Sequence, residues 1–192
     1  IFSIFLSTII FANLGNPYIW ISLFVLLSFA ILGFLDDYKK ITKNNHLGVS
    51  PRSKLFFQFL VSIIAVALTK YYFDSTLFTN ISIPFVKNYL LPLSYLYFPF
   101  AMLVVTGSSN AVNLTDGLDG LASGTIAIAT LAFAIIAYIT AGHLIQSSHL
   151  IMTPLSSEIT ILCSAIIGSC LGFLWFNSYP AEIFMGDTSS LA

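Results

Sequence analysis

Long uncharged runs alternate with short polar breaks from one end of the chain to the other. A helix needs ~20 apolar residues to cross the hydrocarbon core of a bilayer, so uncharged runs near that length carry the strongest structural signal. On that basis residues 18–35, 51–69, 89–106, 121–141 and 159–176 are predicted to be five spans, with a partial helix at each end of the chain. The first partial helix, 1–14, is closed by the turn residues Gly15, Asn16 and Pro17. Asp36 and Asp37 are expected to end the first span, and a polar loop over 38–50 to follow. Ser50 then supplies an N-cap and Pro51 a favoured first helical residue. Lys70 with Tyr71, Tyr72 and Phe73 marks the far interface of that helix. Residues 74–88, with Pro84 and several β-branched side chains, read as a short hairpin or interfacial piece outside the bilayer. Pro92 and Pro99 read as caps or bends of the next span. Segments 107–120 and 177–187 are polar motifs at span ends, and 142–157 is a polar loop on the other side.

Composition agrees with a bilayer environment: 57% of residues are hydrophobic and 8% charged, too few polar groups to cover a water-soluble globule. The expected fold is all-α, a polytopic transmembrane helical protein forming one integral-membrane domain over 1–192. A net charge of -1 excludes a strongly basic nucleic-acid footprint. The opening residues lack the pattern of a secretory signal. A start inside an apolar run and a stop just after a charged motif give the expectation of a piece truncated at both ends. Cys163 and Cys170, seven residues apart in one apolar run, fall on one side of a helix and read as structural thiols rather than a disulfide.

Each span reverses the side on which the next loop emerges, so Asp36-Asp37, the 110–119 motif and the 177–187 motif are predicted to emerge together. Lys39, Lys40, Lys43, Arg52 and Lys54, five of the seven basic residues, belong to that side, and the positive-inside rule makes it cytoplasmic.

Carboxylates at a helix C-terminus oppose the macrodipole, so stability gives Asp36 and Asp37 little reason to be there. A metal or acid–base site is one explanation; Asp36 paired with Lys40 at a solvated helix end is the other. Asn110, Asn113, Asp116 and Asp119 recur every third residue, which on helical backbone makes a polar stripe. Gly107, Gly117 and Gly120 would allow a broken helix lining a cavity. The spacing and the missing distal Glu argue against a calcium loop. Phe184-Met-Gly186-Asp187, preceded by Asn177, Tyr179 and Glu182, adds a carboxylate on the same side. Together the motifs supply oxygen ligands suited to Mg²⁺, which binds one or two carboxylates and leaves sites for water and phosphates. The adjacent lysines can neutralise a pyrophosphate or lipid phosphate, or serve only as a topological anchor. His46 reads as a solvated loop residue, and His143 and His149 face the other side. No Walker, Rossmann or Cys/His metal spacing is present.

Gly33-Phe-Leu-Asp36-Asp37-Tyr-Lys-Lys40, Asn110-Ala-Val-Asn113-Leu-Thr-Asp116-Gly-Leu-Asp119-Gly and Phe173-Leu-Trp-Phe-Asn177-Ser-Tyr-Pro-Ala-Glu182-Ile-Phe184-Met-Gly-Asp187 resemble the polyprenyl-phosphate phosphoglycosyl transferases. The likeness runs in register over essentially the whole chain, including Pro51-Arg52-Ser53-Lys54. It implies an all-helical enzyme of the bacterial inner membrane, with a cytoplasmic active site and Mg²⁺ as cofactor. The Asn-Leu-Thr-Asp-Gly-Leu-Asp-Gly and Tyr-Pro-Ala spellings favour the branch that takes UDP-N-acetylmuramoyl-pentapeptide and undecaprenyl phosphate to lipid I and UMP in peptidoglycan synthesis. The alternative is transfer of N-acetylglucosamine phosphate. An ion-coupled transporter is a more distant reading, disfavoured by the absence of an internal repeat. By resemblance Asp187 is the magnesium ligand, Asp36 and Asp37 the candidate base and its partner, and Asp116 and Asp119 further essential carboxylates. Asn177 and Phe184 correspond to residues that hold the uracil and nucleoside, and Lys54 to a cleft lysine. Asn110, Asn113 and Lys40 are further candidate substrate contacts. Implied partners are the two substrates and membrane lipid, with a homodimer left open. Thr188-Ser189-Ser190 departs from the family's commoner Val-Gly-Ser, and the amino-terminal helices and histidine-rich loop of the family are missing.

Overall fold

The computed structural model describes residues 1–42, 48–73, 79–82, 90–141 and 157–192. In chain order the elements are α1 (Phe2–Phe11), α2 (Pro17–Thr42), α3 (Pro51–Tyr72), β1 (Asn80–Ser82), β2 (Leu90–Pro92), a 3-10 turn (Ser94–Leu96), α4 (Tyr97–Thr115), α5 (Leu121–Thr140), α6 (Ser157–Asn177) and α7 (Asp187–Ser190). The all-helical expectation is borne out, and four of these helices, α2, α3, α5 and α6, are long and apolar enough to cross a membrane. Their outward faces carry large apolar side chains such as Phe56, Ile128 and Trp175, while Thr8, Gln58, Ser62 and Ser123 are buried between helices. Hydroxyl and amide side chains buried between helices suit helices that associate in lipid by packing and hydrogen bonding.

Two boundaries differ from those predicted. Asp36 and Asp37 do not end α2, which continues to Thr42. No Gly or Pro falls between Leu35 and Thr42, and Lys39 and Lys40 occupy its last turns, where cations favour the C-terminal dipole. The predicted span over 89–106 is displaced. Residues 90–92 pair as β2 with β1, in the antiparallel register Asn80↔Pro92, Ile81↔Leu91, Ser82↔Leu90. Helix α4 begins only at Tyr97 and runs nine residues past Thr106, through Asn110 and Asn113. That polar half keeps α4 out of the set apolar enough to span by composition. Gly107 lies within this unbroken helix, so it does not loosen the backbone as expected.

Helix α3 starts as the sequence predicts: the Ser50 hydroxyl accepts the Ser53 N–H at 3.3 Å and Pro51 opens the helix. Side-chain pairs give the helix directions. Tyr18 meets Phe73 at one end of the α2–α3 pair, and Asp36 meets Lys54 at the other. Ser62 lies against Thr106 and Gln58 against Asn110, so α4 runs antiparallel to α3. Asn177 at the end of α6 reaches Ser123 at the start of α5. Ser3 with Ser169, and the Asn13 N–H with Glu158, set α1 antiparallel to α6. The C-terminal ends of α2, α4 and α6 and the N-terminal ends of α3 and α5 therefore gather on one side, as the span parity predicts. The core joins Ile19, Leu23 and Leu26 of α2 to Ile4 of α1 and Leu162 of α6. Cys163 and Cys170 are unpaired on α6. Lys43, His46, His143, His149 and most of 74–88 and 142–157 lie outside the described residues.

Candidate active site

Asp187 enters the gathered end from α7 and is held on both oxygens. Asn113 Nδ2 donates to its Oδ1 at 3.0 Å, and the Lys40 and Lys54 ammonium groups each donate to Oδ2 at 2.9 Å. Asp36 is 1% exposed. It pairs with Lys40 one helical turn on, with Lys54 at 3.2 Å, and accepts the Val49 N–H at 2.7 Å. The Asp36–Lys40 pair thus forms, but with its carboxylate buried and its charges shared with α3 and α7 rather than at a solvated helix end. Asp37 faces the α7 backbone, accepting the Asp187 N–H at 3.3 Å, the Thr188 N–H at 3.0 Å and the Thr188 hydroxyl at 2.7 Å. Asp36, Lys40, Lys54, Asn110, Asn113 and Asp187 line a cleft of about 420 Å³.

Two lysines face the buried Asp36 and the half-buried Asp187, with Asp37 beside them, so the buried carboxylate is not left unpaired in a poorly solvated place. Burial pushes the Asp187 carboxyl up, but bonding with Lys40, Lys54 and Asn113 outweighs it and holds the group well below the usual carboxylate range. Carboxylate oxygens of Asp36, Asp37 and Asp187 lie within 4.8 Å of one another. Among the described residues the contact of the buried Asp36 Oδ2 is the ion pair with Lys40. Three hard oxygen donors this close fit a divalent cation such as Mg²⁺.

The predicted polar stripe divides where α4 ends. Asn110 and Asn113 reach the cleft, Asn110 being held by Gln58 Oε1 and the Thr106 carbonyl, both at 2.8 Å. Asp116 is the C-cap of α4, and no side-chain donor reaches it among the described residues. Burial, then the charge of Asp187, pushes its carboxyl up. Beyond it the chain turns through Gly120, at φ +73, where glycine avoids the clash that a Cβ would bring. Asp119 accepts the Ala181 N–H at 3.1 Å. Asn177, 4% exposed, accepts the Gly120 N–H and the Ser123 hydroxyl at 3.2 Å and donates to the Ile183 carbonyl at 2.9 Å. Asp119 and Asn177 therefore stitch the 116–120 turn to the 178–183 loop, and neither lines the cleft. Phe184, carried by the end of that loop, is exposed and also outside the lining. Lys39 and Arg52 are exposed on the same end. Sequence reasoning missed Gln58, Ser109, Thr188 and Ser190, which hold Asn110, the α7 end, Asp37 and Asn113 respectively. Only Gln58 left a signal, as the lone amide in an apolar run.

The sequence profile of glycosyl transferase family 4 matches residues 19–192. The chain belongs to glycosyl transferase family 4. Among curated relatives, the phospho-N-acetylmuramoyl-pentapeptide-transferase of Rickettsia montanensis is 54% identical over 189 residues, covering 97% of this chain and 52% of the relative. The protein of the same name from Rickettsia bellii is 54% identical over 188 residues, with the same two shares. That from Rickettsia akari is 53% identical over 189 residues, again 97% of this chain and 52% of the relative. The chain spans about half the length of the curated relatives it matches. For this family-4 glycosyl transferase the match bears out the resemblance carried by the three acidic motifs, all of which fall inside the matched residues.

Proposed function

We propose that this chain forms the catalytic core of an enzyme that moves phospho-N-acetylmuramoyl-pentapeptide from its UDP carrier to undecaprenyl phosphate, giving lipid I and UMP. The observation that carries the reading is the meeting of Asp36, Asp37 and Asp187 with Lys40 and Lys54 at one end of an apolar bundle. The name shared by the relatives supplies the transferred group, and the resemblance carried by the motifs supplies the UDP carrier and the lipid acceptor. That end carries Lys39, Lys40, Arg52 and Lys54, so the positive-inside rule makes it cytoplasmic, where a UDP-linked donor is found.

An oxygen of the lipid phosphate attacks the β-phosphorus of the donor, counted from uridine, and the bond to the UMP oxygen breaks. The acceptor is a phosphate monoester with a second pKa near ~6, so it arrives at neutral pH largely as the dianion and needs no obligatory proton removal. Two anions must still approach each other. Lys40 and Lys54, already converged on Asp187, would offset that repulsion by placing positive charge beside the diphosphate. Asp187, with Asp36 and Asp37, would hold Mg²⁺, which when bound stabilises charge on the diphosphate and the leaving group. Asn113 fixes which oxygen of Asp187 faces the lysines. Asp37 also ties down the α7 backbone and Thr188, and Asp36 and Asp37 both remain candidates for the carboxylate nearer the acceptor. Asp119 holds the turn beside the site through the Ala181 N–H, and Asp116 stands where that turn begins. Asn177 acts on the nucleoside through the loop it secures, and the exposed Phe184 ring offers a stacking face.

The test is the full-length enzyme in membranes, offered radiolabelled UDP-N-acetylmuramoyl-pentapeptide and UDP-N-acetylglucosamine with undecaprenyl phosphate. Label from the first donor should enter lipid with equimolar UMP. Label entering from the second alone makes the chain a transferase of N-acetylglucosamine phosphate, and ion flux without UMP release removes transferase chemistry.

A further inference from the structure

Helix α7 has only four residues, too short to hold Asp187 in place by itself, and the support comes from α2. Gly33 and Asp37 are one helical turn apart on the same face of α2. At Gly33 the two backbones touch. A Cβ there would lie 2.5 Å from the Asp187 carbonyl carbon and 2.6 Å from the Thr188 Cα, and closer still to the Asp187 carbonyl oxygen. These are backbone atoms, so no rotamer change relieves the overlap. One turn on, Asp37 takes the N–H groups of Asp187 and Thr188. A Cβ at Gly186 would meet Asp37 Oδ2 at 2.8 Å, so the chain entering α7 also lies flush against that carboxylate.

We propose that Gly33 is a positioning residue: with Asp37 it forms a seat on α2 that sets the backbone of Asp187, and so the place of its carboxylate against Lys40, Lys54 and a bound cation. The proposal rests on reading Asp187 as a cation ligand. Glycine is a poorer helix former than alanine, so one in mid-span is explained here by a contact rather than by helix stability.

The experiment uses full-length protein in nanodiscs. Mn²⁺ affinity is read by electron paramagnetic resonance without substrate, beside the metal-free melting midpoint and turnover. Gly33→Ala should weaken Mn²⁺ binding and turnover by about 10–100-fold, the usual cost of disturbing the support of a metal ligand, with little change in the metal-free midpoint. Gly124→Ala, where a Cβ meets nothing within 4 Å, should leave all three readings unchanged. Gly186→Ala presses only on a side-chain oxygen at an ordinary backbone angle, φ -101, so it should fold and show a smaller loss. If Gly33→Ala does not fold, Gly186→Ala decides. Wild-type Mn²⁺ affinity and turnover in the deciding variant overturn the seat. So does a loss that only tracks a lowered melting midpoint. Undiminished Mn²⁺ affinity in Asp187→Asn overturns the cation reading itself, and the seat with it.

Discussion

The gathered end of the bundle holds two polar regions that differ in what their side chains touch. In the cleft between α2, α3, α4 and α7, carboxylates meet lysines and one another. Beside it, between α5, α6 and the 178–183 loop, Asp119, Ser123 and Asn177 meet backbone amides, a carbonyl and a hydroxyl. Neutral partners of that kind satisfy a polar group and hold a loop. Charged partners brought from three separate elements, α2, α3 and α7, keep charge that a substrate or cation can redirect. Motif membership alone does not separate the two, because Asn113 and Asp119 belong to one sequence motif and serve different regions.

The sharpest break of this contrast is Asp187→Asn. It should cut turnover on the order of 10³-fold, the scale of losing a preorganised electrostatic group, while the purified protein still melts cooperatively. Wild-type turnover in that variant would erase the distinction. Lys54→Ala should lose about a hundredfold in turnover on the same ground, with Lys54→Arg recovering part of it, as read in the UMP-release assay. Asn177→Ala should act the other way round. It strips three bonds from a buried junction and costs about 2–4 kcal/mol of stability, seen as a lowered melting midpoint, with a raised KM for the donor.

Acid should separate the two carboxylates on which the cleft and its neighbouring turn differ. The folded-state value of Asp187 is depressed, so its contribution to stability is present above the ordinary carboxylate range and is lost as pH falls toward the folded value. Asp187→Asn should therefore flatten the acid limb of a melting-midpoint profile below about pH 4. The folded-state value of Asp116 is raised, so its ionised form weighs against the fold above that range and the burden lifts on acidification. Asp116→Asn should give the smallest effect on stability, a slight rise of the midpoint at neutral pH, together with any loss of turnover. A lowered midpoint would move Asp116 into the scaffold.

Much of this was legible because it depends on periodicity and parity. The Ser50-Pro51 start of α3 is a local hydrogen bond and a fixed φ, and both can be read off two letters. The common side of the three acidic motifs follows from counting crossings, and a shifted boundary does not alter the count. The displaced start of α4 was not legible, because 90–92 is as apolar as a span and becomes a strand only through its partner β1. The continuation of α2 past Asp36 was misread because a helix-end penalty was assigned to a residue that Lys40, one turn on, and Lys54, from another helix, together compensate. The division of Asp119 from Asn113 depends on where α4 stops, and every-third spacing says nothing of that.

The seam between α3 and α4 has a consequence for assembly. Gln58 bonds Asn110 and lies against Ser109, while Ser62 lies against Thr106 one turn deeper. Hydrocarbon offers no substitute donors or acceptors, so an α4 rotated by a single residue, about 100°, would strand the Gln58 amide. The pair thus acts as a keyed joint that admits one angular setting, and the same setting aims Asn113 toward the place where Asp187 docks.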